Sequence, residues 1–327
     1  GDEAAVPEGG EPGVKGNDIF IAWAGNNDMD MENGDDIMVD GPGIERMEGQ
    51  LGFDWASFQF DKEGVNVDLD FSIFLAPILP PSNATVGNRY DRVEGMSGSA
   101  HADILKGTAN EATEVPGNGL HNFELIDGLD DMVPVAERRD LPNDPVTGEE
   151  LYGWDGGEIM LGGAGSDILI SEGGDDIVDG DSALSVAIAV QTDDGVDLFE
   201  GMRDIQNQVF DGSISMDDVS ASRIIADADE ADADTDAAAF SGNFADYDIE
   251  RDAGGSINDV FGGPDADQGP DGYLEIVDTR PLAVNLVARK LGNDGRDLVR
   301  NVERLTFADQ TIVLAAGIAG SGVSANS

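Results

Sequence analysis

Residues 162–170 combine the residue types that a calcium-binding turn requires. They read Gly-Gly-Ala-Gly-Ser-Asp-Ile-Leu-Ile and match the nonapeptide G-G-x-G-x-D-x-U-x, in which U is a large apolar residue. Gly163 and Gly165 let the turn adopt positive φ and expose backbone carbonyls to an ion. Asp167 adds a carboxylate, and calcium takes about six to eight oxygen ligands. The run therefore predicts a calcium-binding turn followed by a short strand with an inward apolar side chain.

The segments on both sides of this run keep its register. Residues 153–161 place Glu158 where the nonapeptide has Asp. Residues 172–179 place Gly174 at the glycine position and Asp176 at the carboxylate position. The repeat is therefore consecutive here, which favours a stacked arrangement over one isolated ion-binding loop.

A second block of five consecutive nonapeptides begins at Gly13 and ends at Ser57. The fourth position is always glycine: Gly16, Gly25, Gly34, Gly43 and Gly52. The sixth position always carries a side-chain oxygen: Asp18, Asn27, Asp36, Glu45 and Asp54. Glycine at an unbroken period of nine, followed two residues later by an oxygen ligand, is a strong calcium signal.

Two nonapeptides would form one coil of a right-handed parallel β-roll or β-helix, so that turns eighteen residues apart stack on one edge. This predicts one row with Asp18, Asp36 and Asp54, and another block in which Glu158 stacks with Asp176. Asn27, Glu45 and Asp167 should lie on the opposite edge of their blocks. Because Asn27 and Glu45 depart from Asp, we expect weaker calcium binding there.

Three further places resemble ion-binding turns less closely. Asp103 stands at repeat spacing within residues 95–106, which we interpret as a degenerate coil, and Asp197 marks a last weak repeat. Asp265, Asp267 and Asp271 precede a glycine and leave two interpretations open, an additional calcium loop or a solvated hairpin turn.

The charge of the chain bears on its partners. It carries 17 Lys and Arg residues against 68 Asp and Glu residues, a formal net charge of −51. Such a charge opposes compaction unless counterions neutralise it, and it makes nucleic acid and anionic membranes poor partners. Acidity is also typical of disorder, but 40% of the residues are hydrophobic and the acids recur in register with glycine. We therefore expect calcium binding and folding to be one process.

Other site chemistries have few residues to use. The chain has no cysteine, which excludes disulfides and thiolate sites, and its two histidines, His101 and His121, argue against a multi-histidine metal site or a haem. No Ser–His or Cys–His pair stands out as a nucleophile, and no apolar run is long enough to span a membrane. Residues 1–13 show no signal peptide, and their abrupt acidic start suggests a processed piece or a fragment.

These patterns divide the chain into six predicted regions. They are an acidic lead-in at 1–12, a first repeat block at 13–60, an irregular connector at 61–150 with the degenerate repeat near 95–106, a second repeat block at 151–200, an acidic helix and linker at 201–237, and a C-terminal β module at 238–327. The predicted fold class is all-β, a parallel β-roll closed by a β-rich capping module.

The nonapeptides resemble the calcium-binding repeats of bacterial RTX (hemolysin-type) proteins, which are exported by type I secretion. The chain is more similar still to the C-terminal part of large secreted RTX proteins whose upstream part is an animal-type haem peroxidase domain. The stretches that carry the resemblance are 16–21, 34–39, 47–55, 89–98, 159–168, 240–247 and 300–309. Together they span most of the chain.

The resemblance implies a secreted, extracellular or cell-surface bacterial protein and leaves two function classes open. In the first, the chain is a non-catalytic module that several Ca²⁺ ions fold after export by the type I secretion apparatus, and that serves extracellular structure, adhesion to a matrix or cell surface, or self-assembly. In the second, it is the calcium-stabilised part of a secreted haem peroxidase or manganese-oxidising enzyme. The catalytic domain would then lie upstream of these residues.

Overall fold

The computed structural model describes residues 16–74, 88–109, 119–143, 148, 150–228, 234–251, 255–256, 273–280 and 294–314. Short strands are the commonest regular structure in these residues, and most of them lie in parallel sheets, consistent with the all-β prediction. The strands are β1 (Ile19–Ile21), β2 (Asp28–Asp30), β3 (Ile37–Val39), β4 (Arg46–Glu48), β5 (Trp55–Ser57), β6 (Asn66–Asp68), β7 (Arg89–Asp91), β8 (Gly95–Ser97), β9 (Ile104–Lys106), β10 (Arg139–Leu141), β11 (Leu151–Gly153), β12 (Ile159–Leu161), β13 (Ile168–Ile170), β14 (Ile177–Asp179), β15 (Ser182–Thr192), β16 (Gly195–Phe199), β17 (Val219–Asp227), β18 (Ala237–Ala239), β19 (Tyr247–Arg251), β20 (Gly255–Ser256), β21 (Leu274–Asp278), β22 (Arg296–Arg300), β23 (Arg304–Thr306) and β24 (Thr311–Val313). The α-helices are α1 (Leu129–Met132) and α2 (Met202–Asp211), and single 3₁₀ turns span Phe123–Leu125, Val135–Glu137, Met216–Asp218 and Phe244–Asp246.

The largest sheet begins with seven parallel strands in the order β1, β3, β5, β8, β12, β14 and β22. Ile19 pairs with Ile37, and Ile37 pairs with Trp55, so the first steps are eighteen residues each, as the double nonapeptide predicts. Insertions lengthen most of the later steps, so that Trp55 pairs with Gly95, but the step from Ile159 to Ile177 is again eighteen residues. Beyond β22 the sheet continues with the antiparallel strands β21, β19 and β20.

A second set of strands follows the other half of each repeat. It consists of the parallel sheet β2-β4-β7 and of the sheet β6-β9-β13-β18-β23, which is also parallel and ends in the antiparallel strand β24. An isolated parallel bridge between Ser72 and Tyr90 continues the pairing beyond β7.

The central residues of both sets of strands form one buried core. The eighth-position residues Met29, Met38, Met47 and Ala56 belong to it, each no more than 1% exposed. Phe20, at the same position of the first repeat, is 39% exposed instead, because its strand β1 is the first strand of its sheet. The nonapeptide rule therefore predicts the core well except at this edge.

A second core covers the other face of the largest sheet. The flanking strand residues Ile37, Trp55 and Ile159 are fully buried against part of the connector. The connector residues in this core are Leu120, Leu125, Ile126, Leu129, Met132 and Val133. The segment that looks irregular in the sequence thus buries the face of the sheet that the repeats leave apolar.

Residues 182–227 form a separate antiparallel unit, β16-β15-β17 with α2, that we call the strap. The strap crosses the largest sheet near the ends of several strands. The Val186 backbone exchanges two hydrogen bonds with the Gln59 side chain, of 2.8 and 2.7 Å, and Leu184 N–H donates to Ser97 Oγ at 2.9 Å. Arg203 stacks over the Trp23 ring, just after β1. The strap therefore contacts the sheet from its first strand, β1, to its fourth, β8.

The C-terminal region is less separate than the sequence predicts. Ala237–Ala239 and Arg304–Thr306 are strands of the second set, and Arg296–Arg300 is a strand of the largest sheet. Ala238 and Val299 lie in the same core as the nonapeptide residues. The described parts of 238–327 therefore extend the repeat blocks, and only β19–β21 and β24 end them with antiparallel pairing.

Candidate metal-binding rows

An acidic residue stands directly before each position that pairs along the largest sheet. We call these seven residues the first acidic row: Asp18, Asp36, Asp54, Glu94, Glu158, Asp176 and Asp297. They lie on one edge because parallel strands in register bring equivalent residues side by side. The predicted stacks of Asp18 with Asp36 and Asp54, and of Glu158 with Asp176, are both present.

Backbone hydrogen bonds hold the first acidic row in place. Asp18 N–H donates to Asp36 Oδ1 at 2.6 Å, and Asp36 N–H donates to Asp54 Oδ1 at 2.9 Å. Across the insertions, Asp54 N–H donates to Glu94 Oε2 at 3.0 Å. Asp36, Asp54 and Glu94 thus each accept the N–H of the acid in the preceding strand, so the fold fixes one oxygen of each carboxylate.

The opposite edge carries the second acidic row, in two parts. Asn27, Glu45 and Asn88 precede β2, β4 and β7, whereas Asp103, Asp167, Asp236 and Glu303 precede β9, β13, β18 and β23. Asp103 N–H donates to Asp167 Oδ1 at 2.7 Å, and Asp167 N–H donates to Asp236 Oδ1 at 2.7 Å. Val65 N–H donates to Asp103 Oδ1 at 2.6 Å, but Val65 offers no acid of its own. The row is therefore interrupted at Val65.

The second oxygen of many of these carboxylates has no hydrogen-bond donor. Asp36 Oδ2, Asp54 Oδ2, Glu158 Oε2, Asp176 Oδ2 and Asp236 Oδ2 are buried and accept no hydrogen bond. An ionised oxygen without a partner is costly in a protein interior. A cation or a proton at each of these oxygens would remove that cost, so both rows are chemically suited to bind cations.

Backbone carbonyls approach the same places. A Cβ atom on Gly49 would lie 2.4 Å from Asp54 Oδ2 and 2.3 Å from the carbonyl oxygen of Arg92. Only glycine leaves room for this convergence of carboxylate and carbonyl oxygens. Six of the eight repeat glycines named from the sequence have positive φ, namely Gly25, Gly34, Gly52, Gly163, Gly165 and Gly174, whereas Gly16 and Gly43 do not.

The electrostatics of the rows follow from burial. Desolvation raises the pKa of Asp36 to about 7 and the pKa values of Glu158 and Asp236 to about 8, and neighbouring carboxylates add to the rise. Burial likewise holds the pKa values of Asp54 and Asp176 well above the usual range. Hydrogen bonds from backbone N–H groups oppose these shifts without cancelling them. At neutral pH the rows therefore favour protons or bound cations over free anions.

The oxygen atoms of the two rows are the kind of ligand that calcium prefers, although the side chains alone do not supply a full set of ligands. Among the described residues, no three or more Asp, Glu or His side chains form a metal-binding group by themselves. Backbone carbonyls would have to supply the other ligands, as they do in part in known calcium loops. All available donors are oxygens, which suits calcium better than zinc or copper.

One predicted ligand is wrong in position, and another group lies beyond the described residues. Asp197 lies in β16 of the strap, where it is exposed and pairs with Val190 of an antiparallel strand, away from both rows. The sequence around Asp197 resembles a repeat because apolar residues alternate after a glycine, but the segment is one strand of a hairpin. Asp265, Asp267 and Asp271 lie outside the described part of the chain.

Sequence reasoning missed five members of the rows: Asn88, Glu94, Asp236, Asp297 and Glu303. Insertions of 40 to 121 residues separate the acidic ones from their partners, so no unbroken period leads to them. A local signal exists nevertheless. A core residue follows each of these four acids two positions later, namely Met96, Ala238, Val299 and Leu305, as in the nonapeptide.

The two histidines lie outside the rows. His101 is exposed in the turn between β8 and β9, and His121 Nε2 lies 3.4 Å from Arg139 Nη2 in the connector.

Comparison with protein-family models and with curated proteins gives no match to this chain. None of the helices in the described ranges is long and apolar enough to cross a membrane.

Proposed function

We propose that this chain is a non-catalytic module that folds by binding several Ca²⁺ ions along its two acidic rows. The observation that carries the proposal is the second carboxylate oxygen, which in Asp36, Asp54, Glu158, Asp176 and Asp236 is buried without a hydrogen-bond donor. The first oxygen is fixed by a backbone N–H, so the second is held in position for an ion. At Gly49 the carbonyl oxygen of Arg92 approaches the same place as Asp54 Oδ2 and adds an oxygen ligand.

We also propose that the two sets of parallel strands form the walls of a right-handed parallel β-roll. The steps of eighteen residues between Ile19, Ile37 and Trp55 support this interpretation. So does the alternation along the chain between the largest sheet and the second set. The acidic rows would then mark the two edges at which the chain turns.

The charge supports a coupling between calcium and folding. With a formal net charge of −51, close packing of carboxylates in two rows is opposed by mutual repulsion. Calcium would neutralise the rows and repay their desolvation, so that binding energy becomes folding energy. A chain of this kind stays unfolded where calcium is scarce and folds where it is abundant.

This behaviour suits a protein that is exported unfolded, as in type I secretion, and that folds outside the cell. The module would then serve extracellular structure or adhesion as part of a secreted RTX protein. The insertions, which include the connector on the largest sheet and the strap, distinguish it from a bare array of nonapeptides.

The test is a calcium titration of the chelated, purified chain followed by far-UV circular dichroism. We expect a cooperative gain of β signal with calcium, and none with magnesium at the same concentration, because magnesium demands tighter geometry and keeps its waters. A chain that is already folded in chelator and indifferent to calcium would contradict the proposal.

A further inference from the structure

The strap carries apolar side chains on the face that points away from the largest sheet. Leu184 and Val186 of β15 are buried in the core that covers that sheet, so the alternate residues of β15 form the outer face of the strap. Leu198 of β16 pairs with one of these alternate residues, Ala189, and therefore lies on the outer face as well. Val196, two residues earlier in β16, shares this face. Both side chains are more than half exposed.

Exposed apolar side chains are concentrated in the strap. Fifteen large apolar side chains are exposed in the described part of the chain, and six of them lie in the strap: Val196, Leu198, Met202, Phe210, Met216 and Ile224. Phe210, in the last turn of α2, is the most exposed of the fifteen, at 86%. Single exposed apolar residues are normal in folded proteins, whereas a concentration of them marks an interaction surface.

A groove of about 460 Å³ adjoins this outer face, between the strap and the turns of the repeat blocks. Leu198 and Ala187 line it from the strap, and Ala100 and Ala164 line it from the turns after β8 and β12. Of the described residues that line the groove, only Glu200 is charged, and none belongs to either acidic row. The small side chains leave room for apolar side chains of a partner, which bind best in such pockets.

The surroundings of this apolar surface are acidic. The strap contains nine Asp and Glu residues, each of them exposed, against two arginines. One of these, Arg203, stacks over the Trp23 ring of the repeat block. Because the electrostatic potentials of two partners are complementary across an interface, the strap repels a second copy of this acidic chain and attracts a partner with positive charges.

We propose that the outer face of the strap and the adjoining groove bind a basic, amphipathic polypeptide segment, in which apolar side chains are flanked by Lys or Arg residues. The apolar side chains enter the groove beside Leu198, and the basic side chains pair with exposed carboxylates such as Glu200. An apolar centre with a polar rim is the usual anatomy of a protein interface. This surface gives the folded module a protein partner in addition to calcium.

The experiment measures, by fluorescence anisotropy at physiological ionic strength, how a labelled amphipathic peptide of Leu and Lys residues binds to the folded chain. Wild type is compared with Leu198→Ser and with Phe74→Ser, a matched control because Phe74 is also exposed but lies outside the strap. We expect Phe74→Ser to bind like wild type and Leu198→Ser to bind at least about tenfold more weakly, because a leucine loses its burial. Equal affinities of all three chains, or no binding by wild type, would overturn the proposal.

Control peptides separate the apolar contribution from the charges. A peptide with Glu in place of Lys should not bind, and a peptide with Ser in place of Leu should bind weakly and equally to wild type and Leu198→Ser. Added salt should weaken the binding of the Leu and Lys peptide but keep the difference between wild type and Leu198→Ser, because salt screens exposed charges and not apolar contacts. Binding of the Glu peptide as tight as that of the Lys peptide would overturn the basic character of the partner. If Leu198→Ser melts below wild type, Val196→Ser is measured in the same way, and wild-type affinity in Val196→Ser would overturn the surface.

Discussion

The backbone N–H of Asp36 donates a hydrogen bond of 2.9 Å to Oδ1 of Asp54, eighteen residues further along the chain. The other oxygen of Asp54, Oδ2, is buried and accepts none. One carboxylate therefore has two separable roles, a structural acceptor for the neighbouring strand and a ligand for a cation. The same division recurs at Asp36, Asp176 and Asp236.

Substitution at Asp54 should separate these roles. Asp54→Asn keeps an acceptor for the Asp36 N–H but places an amide where an ion would bind. Calcium affinity should therefore fall at least about tenfold, which corresponds to a loss of about 1.4 kcal/mol of binding free energy. Asp54→Ala should in addition lower the free energy of unfolding by about 1–3 kcal/mol, because a buried N–H loses its partner. Calorimetric titration and thermal melts measure the two effects. Wild-type calcium affinity in D54N would refute the ligand role.

The raised pKa values predict opposite pH responses with and without calcium. Folded Asp36 has a pKa of about 7, and folded Glu158 and Asp236 have pKa values of about 8, against about 4 in the unfolded chain. Between pH 4 and pH 8 the folded state then binds more protons, so the calcium-free chain should lose stability as pH rises. With calcium, stability should instead fall as the pH drops below about 7, because protons compete for the ligands.

Far-UV circular dichroism from pH 4 to pH 8.5 checks the calcium-free chain, in buffers freed of calcium by a resin, and thermal melts check the calcium-bound chain over the same range. A calcium-free β signal that grows as the pH rises would contradict the burial of unpaired carboxylates.

Two glycines test how tightly the turns stack. Gly52 and Gly25 occupy the same repeat position and both have positive φ, 141° and 93°. A Cβ on Gly52 would lie 1.4 Å from the carbonyl oxygen of Gly34, whereas Gly25 has nothing within 4 Å. Gly25→Ala should therefore cost only the backbone strain, about 1–2 kcal/mol, and Gly52→Ala should cost clearly more. Equal melting temperatures for the two variants would show that turn stacking is looser than described.

The attachment of the strap to the largest sheet should depend on the side chain of Gln59. Gln59 exchanges two hydrogen bonds with the Val186 backbone, which is buried at that point. Gln59→Ala should destabilise the fold by about 1–3 kcal/mol and expose residues 182–227 to protease. Gln206→Ala, on the exposed face of α2, is the matched control and should be neutral. Unchanged protease sensitivity in Q59A would mean that other contacts, such as Arg203 with Trp23, suffice to hold the strap.

The sequence alone determined the local units of this protein and their register. Glycine and an acid at a period of nine predicted that Ile19, Ile37 and Trp55 would pair in parallel and that Asp18, Asp36 and Asp54 would line one edge. This worked because neighbouring repeats are joined by turns of a few residues, so that periodicity and register are the same information.

Only the tertiary structure decided which distant segments join the rows. Glu94, Asp236 and Asp297 enter after insertions that carry no period, and the same insertions supply the connector that covers the largest sheet and the strap that crosses it. The predicted position of Asp197 was wrong because its spacing fits a repeat, whereas its strand pairs in a hairpin. A spacing rule describes contacts only while the chain between them is short. Across long insertions, the burial of apolar strand residues and the available N–H partners select the pairing.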